Sequence, residues 1–322
     1  MRRLRERSQR GAVAVSTALL CVALVGFTAI AVDVGALWWD RSQLQNGADS
    51  AALALAQSCA KGSGVTTCEP DEMGMATTYA TGNKADNASS TVSVTSITHG
   101  DGWVKVDVTT TRQHWFAPLI GHKSSVVTAS ATVSWGGIGG ASVLPFVVGD
   151  CQLANIASGS TVTLWTKGGS SPTCGLTSGN TITGNFGWLK DPNPDSTDPT
   201  LACTVKTSVN GTVTGNTGDP GPSLSNDACN SILSDLHGRE VLLPVFDSYT
   251  GSGTNIVFHL SGYAVIRVDT YCLNANKGWG YPTSGCKSEN QKWITGTFIK
   301  KVFLGATLGG PSYGATTVQL TA

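Results

Sequence analysis

Near its N-terminus the chain contains one uninterrupted run of apolar residues. Residues 12–32 carry no charged side chain, and their only hydroxyl groups belong to Ser16, Thr17 and Thr28. As a helix this run would be about 31 Å long, which is close to the thickness of the hydrocarbon layer of a bilayer. The pattern therefore predicts one transmembrane helix.

Beyond Val32 the apolar residues keep the spacing of an amphipathic helix. They recur three, four and seven positions apart as far as Leu55, a pattern typical of a single helical face. The membrane span and the following helix are expected to form one rod of about 46 residues that ends within 58–64. A shorter second helix is expected from about Pro70 to Tyr79, with proline and two acidic residues in its first turn.

Alternating β-branched residues replace the helical pattern further on. Runs at 91–98, 103–111 and 125–135, with a turn at 99–102, predict an antiparallel three-stranded meander. The glycine-rich residues 136–140 are expected to be a linker.

A second domain is expected to begin near Ala141, where Thr, Gly, Asn and Pro become frequent. Its short strands favour a β sandwich or a barrel-like fold. The segment 191–227 is rich in Pro, Asn, Gly and Ser and is expected to be largely loop. The expected strands are 143–148, 161–166, 240–246, 255–268 and 295–303.

The fold class predicted from these elements is α+β. A long N-terminal transmembrane and juxtamembrane helix carries a small antiparallel β module, and a disulfide-rich, mainly-β domain follows. The expected parts are a basic tail (1–11), a transmembrane helix (12–32), an α+β module (33–135), a linker (136–140) and a Cys-rich domain (141–322).

Charge adds an orientation to this picture. The first ten residues hold five arginines and one glutamate, whereas the net charge of all 322 residues is zero. Arginines beside a span favour the cytoplasmic side, so the body of the protein is expected outside the cytoplasm of a single-pass membrane protein. The remaining chain is mildly acidic, which disfavours nucleic-acid binding. The alternative is a secreted binding or adhesion protein that is released after Ala31, since residues 29–31 read as a signal-peptidase site.

The cysteines agree with export. Cys21 lies in the apolar run, and an even number of the others follows it, which indicates disulfides. Pairing between sequence neighbours is expected, although spacing alone leaves 105 connectivities open. The eight candidates are Cys59, Cys68, Cys151, Cys174, Cys203, Cys229, Cys272 and Cys286. A zinc site is not expected, because the sequence contains no C-x-x-C pair. No cofactor and no enzymatic activity are expected, because the G-x-S-x-G match at 310–314 lacks a downstream acid and histidine.

One stretch of the chain resembles a known family. A basic tail and Gly11 precede the apolar run, A-V-D-V-G closes it at 31–35, and L-Q-N-G-A-D-S-A-A-L-A follows at 44–54. In order and spacing this resembles the N-terminal region of the TadE/TadG-like proteins of Flp (tight adherence, type IVb) pilus assembly. Residues 115–136 are similar to the end of such N-terminal modules. The residues that carry the motif are Gly11, Asp33, Gly35, Leu44, Gln45, Ala48, Asp49, Ala51, Ala52 and Leu53.

The resemblance implies a pilin-like module and a membrane-anchored, non-enzymatic component of a Tad/Flp-type pilus assembly or secretion apparatus. Its implied partners are the membrane and other Tad/Flp assembly proteins or pilins. Pilins of this system resemble one another in carrying Glu five residues after the cleaved glycine, and the position counted from Gly11 is Ser16. A retained TadG-like anchor therefore fits better than a fibre subunit.

Two features of this region bear on assembly. A carboxylate at the end of an apolar run is costly in hydrocarbon, so Asp33 is expected either at the outer headgroup level or paired within a complex. The small residues Ala48, Ala51 and Ala52 are expected to allow close packing against other helices of an assembly. Asp49 is expected on the solvated face of the helix.

Overall fold

The structure is a computed structural model. It describes residues 3–61, 71–83, 91–153, 157–167, 173–183, 186–190, 203–216, 227–274, 278–286, 292–304 and 306–321. The chain forms two compact units: residues 1–56, 64–133 and 320–322 make up the first, and residues 57–63 and 134–319 the second. The predicted α+β class, with a long apolar N-terminal helix before a mainly-β domain, is confirmed.

Helix α1 runs from Arg3 to Lys61, so the expected rod is one continuous helix that ends inside the expected segment. Helix α2 spans Glu72–Gly82, two residues later than expected at its start. The delay has a local cause, because the Asp71 carboxylate accepts a hydrogen bond from the Gly74 N–H at 2.8 Å and caps the helix.

The first unit also contains the expected meander. Strands β1 (Ser93–Gly100) and β2 (Trp103–Gln113) form an antiparallel hairpin in which Gly100 pairs with Trp103. Burial alternates along β2, where Val104, Val106 and Val108 are fully buried. Strand β3 (Ser124–Val143) follows a short 3₁₀ helix at Ala117–Ile120.

The glycines expected to form a linker lie inside β3 instead. The reason is close packing of backbone on backbone in the second unit. A Cβ atom on Gly137 would stand 2.4 Å from the Gly310 carbonyl oxygen, and one on Gly139 would stand 2.7 Å from that of Leu308. Glycine in a strand often marks such an approach.

The second unit is mainly β. Its elements are β4 (Phe146–Gly149), β5 (Thr161–Lys167), β6 (Thr173–Gly175), β7 (Thr181–Thr183), β8 (Phe186–Leu189), β9 (Val205–Ser208), β10 (Thr212–Asn216), α3 (Asp227–Ser234), β11 (Glu240–Thr250), β12 (Ile256–Asn274), β13 (Trp279–Tyr281), β14 (Lys292–Phe298), β15 (Lys301–Leu304), β16 (Thr307–Leu308), β17 (Ser312–Tyr313) and β18 (Ala315–Thr321).

Five strands of this unit close into a ring. β10 pairs with β8, β8 with β4, β4 with β11, β11 with β12, and β12 again with β10. The β4–β11 pairing is parallel and the other four are antiparallel. The ring is a small barrel, one of the two architectures that the strand spacing predicts. β14 and β5 extend the sheet from β12.

Aromatic residues fill the core of the second unit. Phe246 and Phe258 lie with ring centroids 4.6 Å apart, and Phe146 meets Trp188 edge to face at 5.0 Å. Two strands, β9 and β10, form within the segment 191–227 that was expected to be largely loop. Their alternation is only four or five residues long, too short to stand out in a sequence rich in turn residues.

Candidate membrane anchor

The apolar part of α1 has the properties that a bilayer demands. Residues 11–28 are exposed along their whole length, and α1 is long and apolar enough to cross a membrane. Its polar side chains are satisfied within the helix. The hydroxyl groups of Ser16, Thr17 and Thr28 donate to the carbonyl oxygens four residues earlier, at 3.0, 2.8 and 2.8 Å. No polar group of these side chains requires water, which is the condition for burial in hydrocarbon.

Asp33 ends the apolar run and is 7% exposed. Its carboxylate accepts hydrogen bonds from three successive backbone N–H groups, of Trp115 at 2.9 Å, Phe116 at 3.1 Å and Ala117 at 2.7 Å. These donors lie at the start of the 3₁₀ helix Ala117–Ile120, whose first N–H groups have no partners in the helix itself. Asp33 therefore caps a distant loop, and its pairing is intramolecular.

A second acidic residue of α1 is buried seven positions later. Asp40 is 2% exposed, and its carboxylate lies 3.4 Å from the Arg112 guanidinium, which also stands 5.4 Å over the Trp115 ring. Sequence analysis did not identify this pair. The available signal was an aspartate at helical spacing from Asp33, and nothing local to either residue shows that a strand brings an arginine to it.

The alanine face of α1 is used inside the first unit. Ala48, Ala51 and Ala52 have no exposed surface, and Leu44 is 3% exposed. The expectation that these small residues face other helices of an assembly is therefore wrong for the chain in this fold. Close packing is nevertheless what they serve: a Cβ on Gly47 would stand 2.7 Å from the Ala80 carbonyl oxygen of α2.

Some of the other motif residues form contacts within the first unit, and others have free space around them. Gln45 donates from Nε2 to Asp49 Oδ1 and to the Ser130 carbonyl oxygen, both at 2.9 Å. Asp49 is thus half-buried and hydrogen-bonded, whereas a solvated position was expected. A Cβ atom added to Gly11 or Gly35 would meet no other atom within 4 Å, and Leu53 is partly buried.

The disulfides hold the second unit. Cys151 joins Cys174, Cys203 joins Cys229 and Cys272 joins Cys286, with Cα atoms 5.7, 4.8 and 5.1 Å apart. These are the sequence neighbours expected to pair. Cys59 is also disulfide-bonded, whereas Cys68 lies outside the described residues. Cys21, in the span, is a free thiol.

Serine lies close to histidine at two places among the described residues. In the first unit His114 Nε2 lies 2.8 Å from Ser125 Oγ. The second place is on the surface of the second unit. His259 Nδ1 lies 3.0 Å from Asp247 Oδ1, and Ser248 Oγ donates to the same oxygen at 2.9 Å. The Ser248 hydroxyl is therefore held by the acid and not by the histidine. Among the described residues, no group of three or more His, Cys, Asp or Glu side chains could hold a metal ion.

Comparison with known proteins gives one similarity, and it lies within α1. No curated protein matches the chain significantly, and no solved structure does. Residues 11–58 match the family described as "Putative Flp pilus-assembly TadE/G-like", which confirms the partial resemblance seen in the motif. The matched segment is the exposed apolar part of α1 together with the part that carries Asp33, Asp40 and the buried alanines, and over these residues the chain is similar to that family.

Proposed function

We propose that this protein is a membrane-anchored, non-enzymatic component of a Tad/Flp-type pilus assembly or secretion apparatus, a TadG-like anchor or a minor pilin-like subunit. The observation that carries the proposal is the family match over residues 11–58, because it covers both the span and the helical half of the first unit. The similarity therefore extends to the residues that join a membrane helix to a folded module.

The orientation follows from charge and cysteine chemistry. The arginines before Gly11 keep that end in the cytoplasm, and the body lies on the other side of the membrane. Three disulfides in the second unit support this side, since disulfides persist outside the reducing cytoplasm. With the alanine face occupied inside the first unit, the surface left for lateral packing in the membrane is the exposed span itself.

Retention of the span is favoured over release after Ala31. Residues 29–34 lie within the continuous helix α1, and Asp33, two residues beyond the site of the alternative cleavage, is fastened to the module by three hydrogen bonds. The proposed anchor and the module are therefore one structural piece.

Deletion and complementation in the native host test the role. Loss of the gene is expected to abolish or sharply reduce surface pili seen by electron microscopy, and the full chain is expected to restore them. A matched variant in which a cleavable signal peptide replaces residues 1–31 is expected to reach the exterior without restoring pili.

The same strains separate the proposal from its rival. If the secreted variant restores pili, or if the native product recovered from culture fluid begins at Val32 by intact mass, a released protein is the correct description. If piliation is unchanged by deletion, the assembly role is wrong although the anchor can stand.

A further inference from the structure

The loop that Asp33 caps is an exposed apolar surface of the first unit outside the apolar run of α1. Residues 115–120, W-F-A-P-L-I, are called here the hydrophobic loop. Leu119 is 87% exposed, Ile120 74% and Trp115 67%. Solvated proteins seldom leave such a cluster of large apolar side chains open, and clusters of this kind mark contact with a membrane or a partner.

The position of the loop favours contact with a membrane over contact with a partner. Its N–H groups lie within 3.1 Å of the Asp33 carboxylate, and Asp33 is the first residue after the apolar run of the span. A helix that crosses the bilayer through residues 12–32 places Asp33 at the boundary of the hydrocarbon. The hydrophobic loop is thus fixed at the depth of the membrane interface.

The backbone of the loop also meets the requirement for entering lipid. Its first three N–H groups go to Asp33, and those of Leu119, Gly121 and His122 go to carbonyl oxygens of the same loop at 3.1 Å. Pro118 has no N–H, and Ile120 lies within the 3₁₀ helix. Irregular backbone at membrane depth needs its polar groups satisfied by protein, and the N–H groups of the hydrophobic loop meet that condition.

Residues of α1 and β3 also expose apolar and basic side chains. Val126, 67% exposed, and Trp38 of α1 help to line an open groove of about 400 Å³ between α1 and the start of β3. Arg41 also lines that groove, and His122 with Lys123 follow the loop directly. Exposed aromatic residues next to basic ones are typical of the headgroup level of a bilayer.

We propose that the hydrophobic loop inserts into the outer leaflet next to the span, so that the protein holds the membrane at two points and Asp33 locks them together. The span by itself can rotate and tilt, whereas a second lipid contact sets the orientation of the first unit relative to the bilayer surface. This inference rests on the membrane anchorage in the proposed function and is independent of the pilus role.

Photo-crosslinking of the full chain tests the proposal. The protein would be placed in nanodiscs of phosphatidylcholine and phosphatidylglycerol with p-benzoylphenylalanine at position 119, and lipid adducts would be measured by mass spectrometry after irradiation. Position 27 in the span, where Phe27 is 72% exposed, is the lipid-facing control.

The aqueous control is position 79. Tyr79 is 49% exposed on α2, and α2 meets α1 near Gly47, about 21 Å along the helix from Asp33. The adduct yield at 119 is expected to approach that at 27 and to exceed that at 79 by about fivefold or more, because only a side chain in hydrocarbon meets acyl chains.

Each other outcome has a definite meaning. If position 27 forms lipid adducts while the yield at position 119 is no higher than at position 79, the inference is overturned and the anchor stands. Crosslinks from 119 to a second copy of the chain, without lipid adducts, would overturn it in favour of a protein interface. Absence of adducts at both 27 and 119 would remove the anchorage and the inference together. The same probe at 120, where Ile120 is nearly as exposed, guards against a local effect of one substitution.

Discussion

The Asp33 carboxylate and the Trp115 backbone N–H lie 2.9 Å apart although 82 residues separate them in the chain. With the two neighbouring N–H groups, this contact ties the end of the membrane span to the loop between β2 and β3. Hydrogen bonds to a charged acceptor in a buried site are among the stronger ones in proteins.

Replacing Asp33 by Asn is therefore expected to loosen the loop. The amide keeps the shape of the side chain but loses the charge and presents an NH₂ group to N–H donors. Hydrogen exchange at amides 115–117 is therefore expected to speed up by roughly 10-fold or more. Asp101→Asn, in the exposed β1–β2 turn, is the matched control and should leave these amides unchanged. Equal protection in both variants would show that Asp33 does not hold the loop.

The packing of α2 on α1 is tested by two glycines of α1. Gly47→Ala is expected to destabilise the first unit by about 1–3 kcal/mol, since the new Cβ would meet the Ala80 backbone at 2.7 Å. Gly35→Ala meets no atom within 4 Å and should stabilise the helix by about 0.5–1 kcal/mol. Hydrogen exchange across α2 measures the effect of Gly47→Ala, and exchange at α1 amides near residue 35 measures that of Gly35→Ala. If the two substitutions behave alike, α2 does not lie against Gly47.

A buried tyrosine predicts alkaline sensitivity of the second unit. Burial raises the pKa of Tyr263 above its ordinary value, and the hydrogen bond between its hydroxyl and Thr207 Oγ1 at 2.8 Å opposes that rise only in part. Because the folded pKa is above the unfolded one, the stabilisation is complete below the unfolded value near 10. It is lost as the pH rises from there through the folded value.

Tyr263→Phe is expected to flatten the fall in stability above about pH 10 while costing about 1 kcal/mol at neutral pH for the lost hydrogen bond. Urea unfolding at a series of pH values, followed by near-ultraviolet circular dichroism, measures both terms. Tyr79→Phe, at an exposed site, serves as the control and should leave the profile unchanged. A wild-type profile in Tyr263→Phe would contradict the assignment.

The cysteines give a prediction about both compartment and stability. In the denatured but unreduced protein a maleimide is expected to label Cys21, while the six cysteines paired in the second unit stay unlabelled until reduction. Replacing the pair Cys151 and Cys174 by Ser should lower the stability of the second unit by about 2–4 kcal/mol. Cys21→Ser should have no effect on it. Free labelling of the paired cysteines in freshly isolated protein would place the body in a reducing compartment.

The local sequence pattern was sufficient to predict those helices and strands whose periodic pattern extends over many residues. α1, the β1–β2 hairpin and the start of β12 follow from runs of eight or more residues. Their bounds agree with expectation to within a few positions, except that α1 begins at Arg3, earlier than the apolar run that predicted it. Strands of two to four residues, such as β6, β9 and β16, carry too few alternations to be distinguished from turns. Their existence depends on partners elsewhere in the chain, since an isolated short strand has no stability of its own.

The candidate site divides in the same manner. The motif residues of α1 could be named from their order and spacing, but their roles could not. Ala48, Ala51 and Ala52 would suit any helix interface, and only the fold shows that their own module covers them. Nor could sequence analysis pair Asp40 with Arg112, because 72 residues separate them and neither belongs to a recognisable motif.

What the sequence determined by itself is an apolar helix long enough to cross a membrane and the likeness of residues 11–58 to TadE/G-like proteins, because the compatibility of a helix with hydrocarbon depends only on the residues within that helix. What the tertiary structure alone decided is the partner of Asp33 and the exposure of the hydrophobic loop. A buried carboxylate must find donors, but any backbone N–H can satisfy it, so the donors are chosen by the path of the chain between residues 33 and 115 and not by a local pattern.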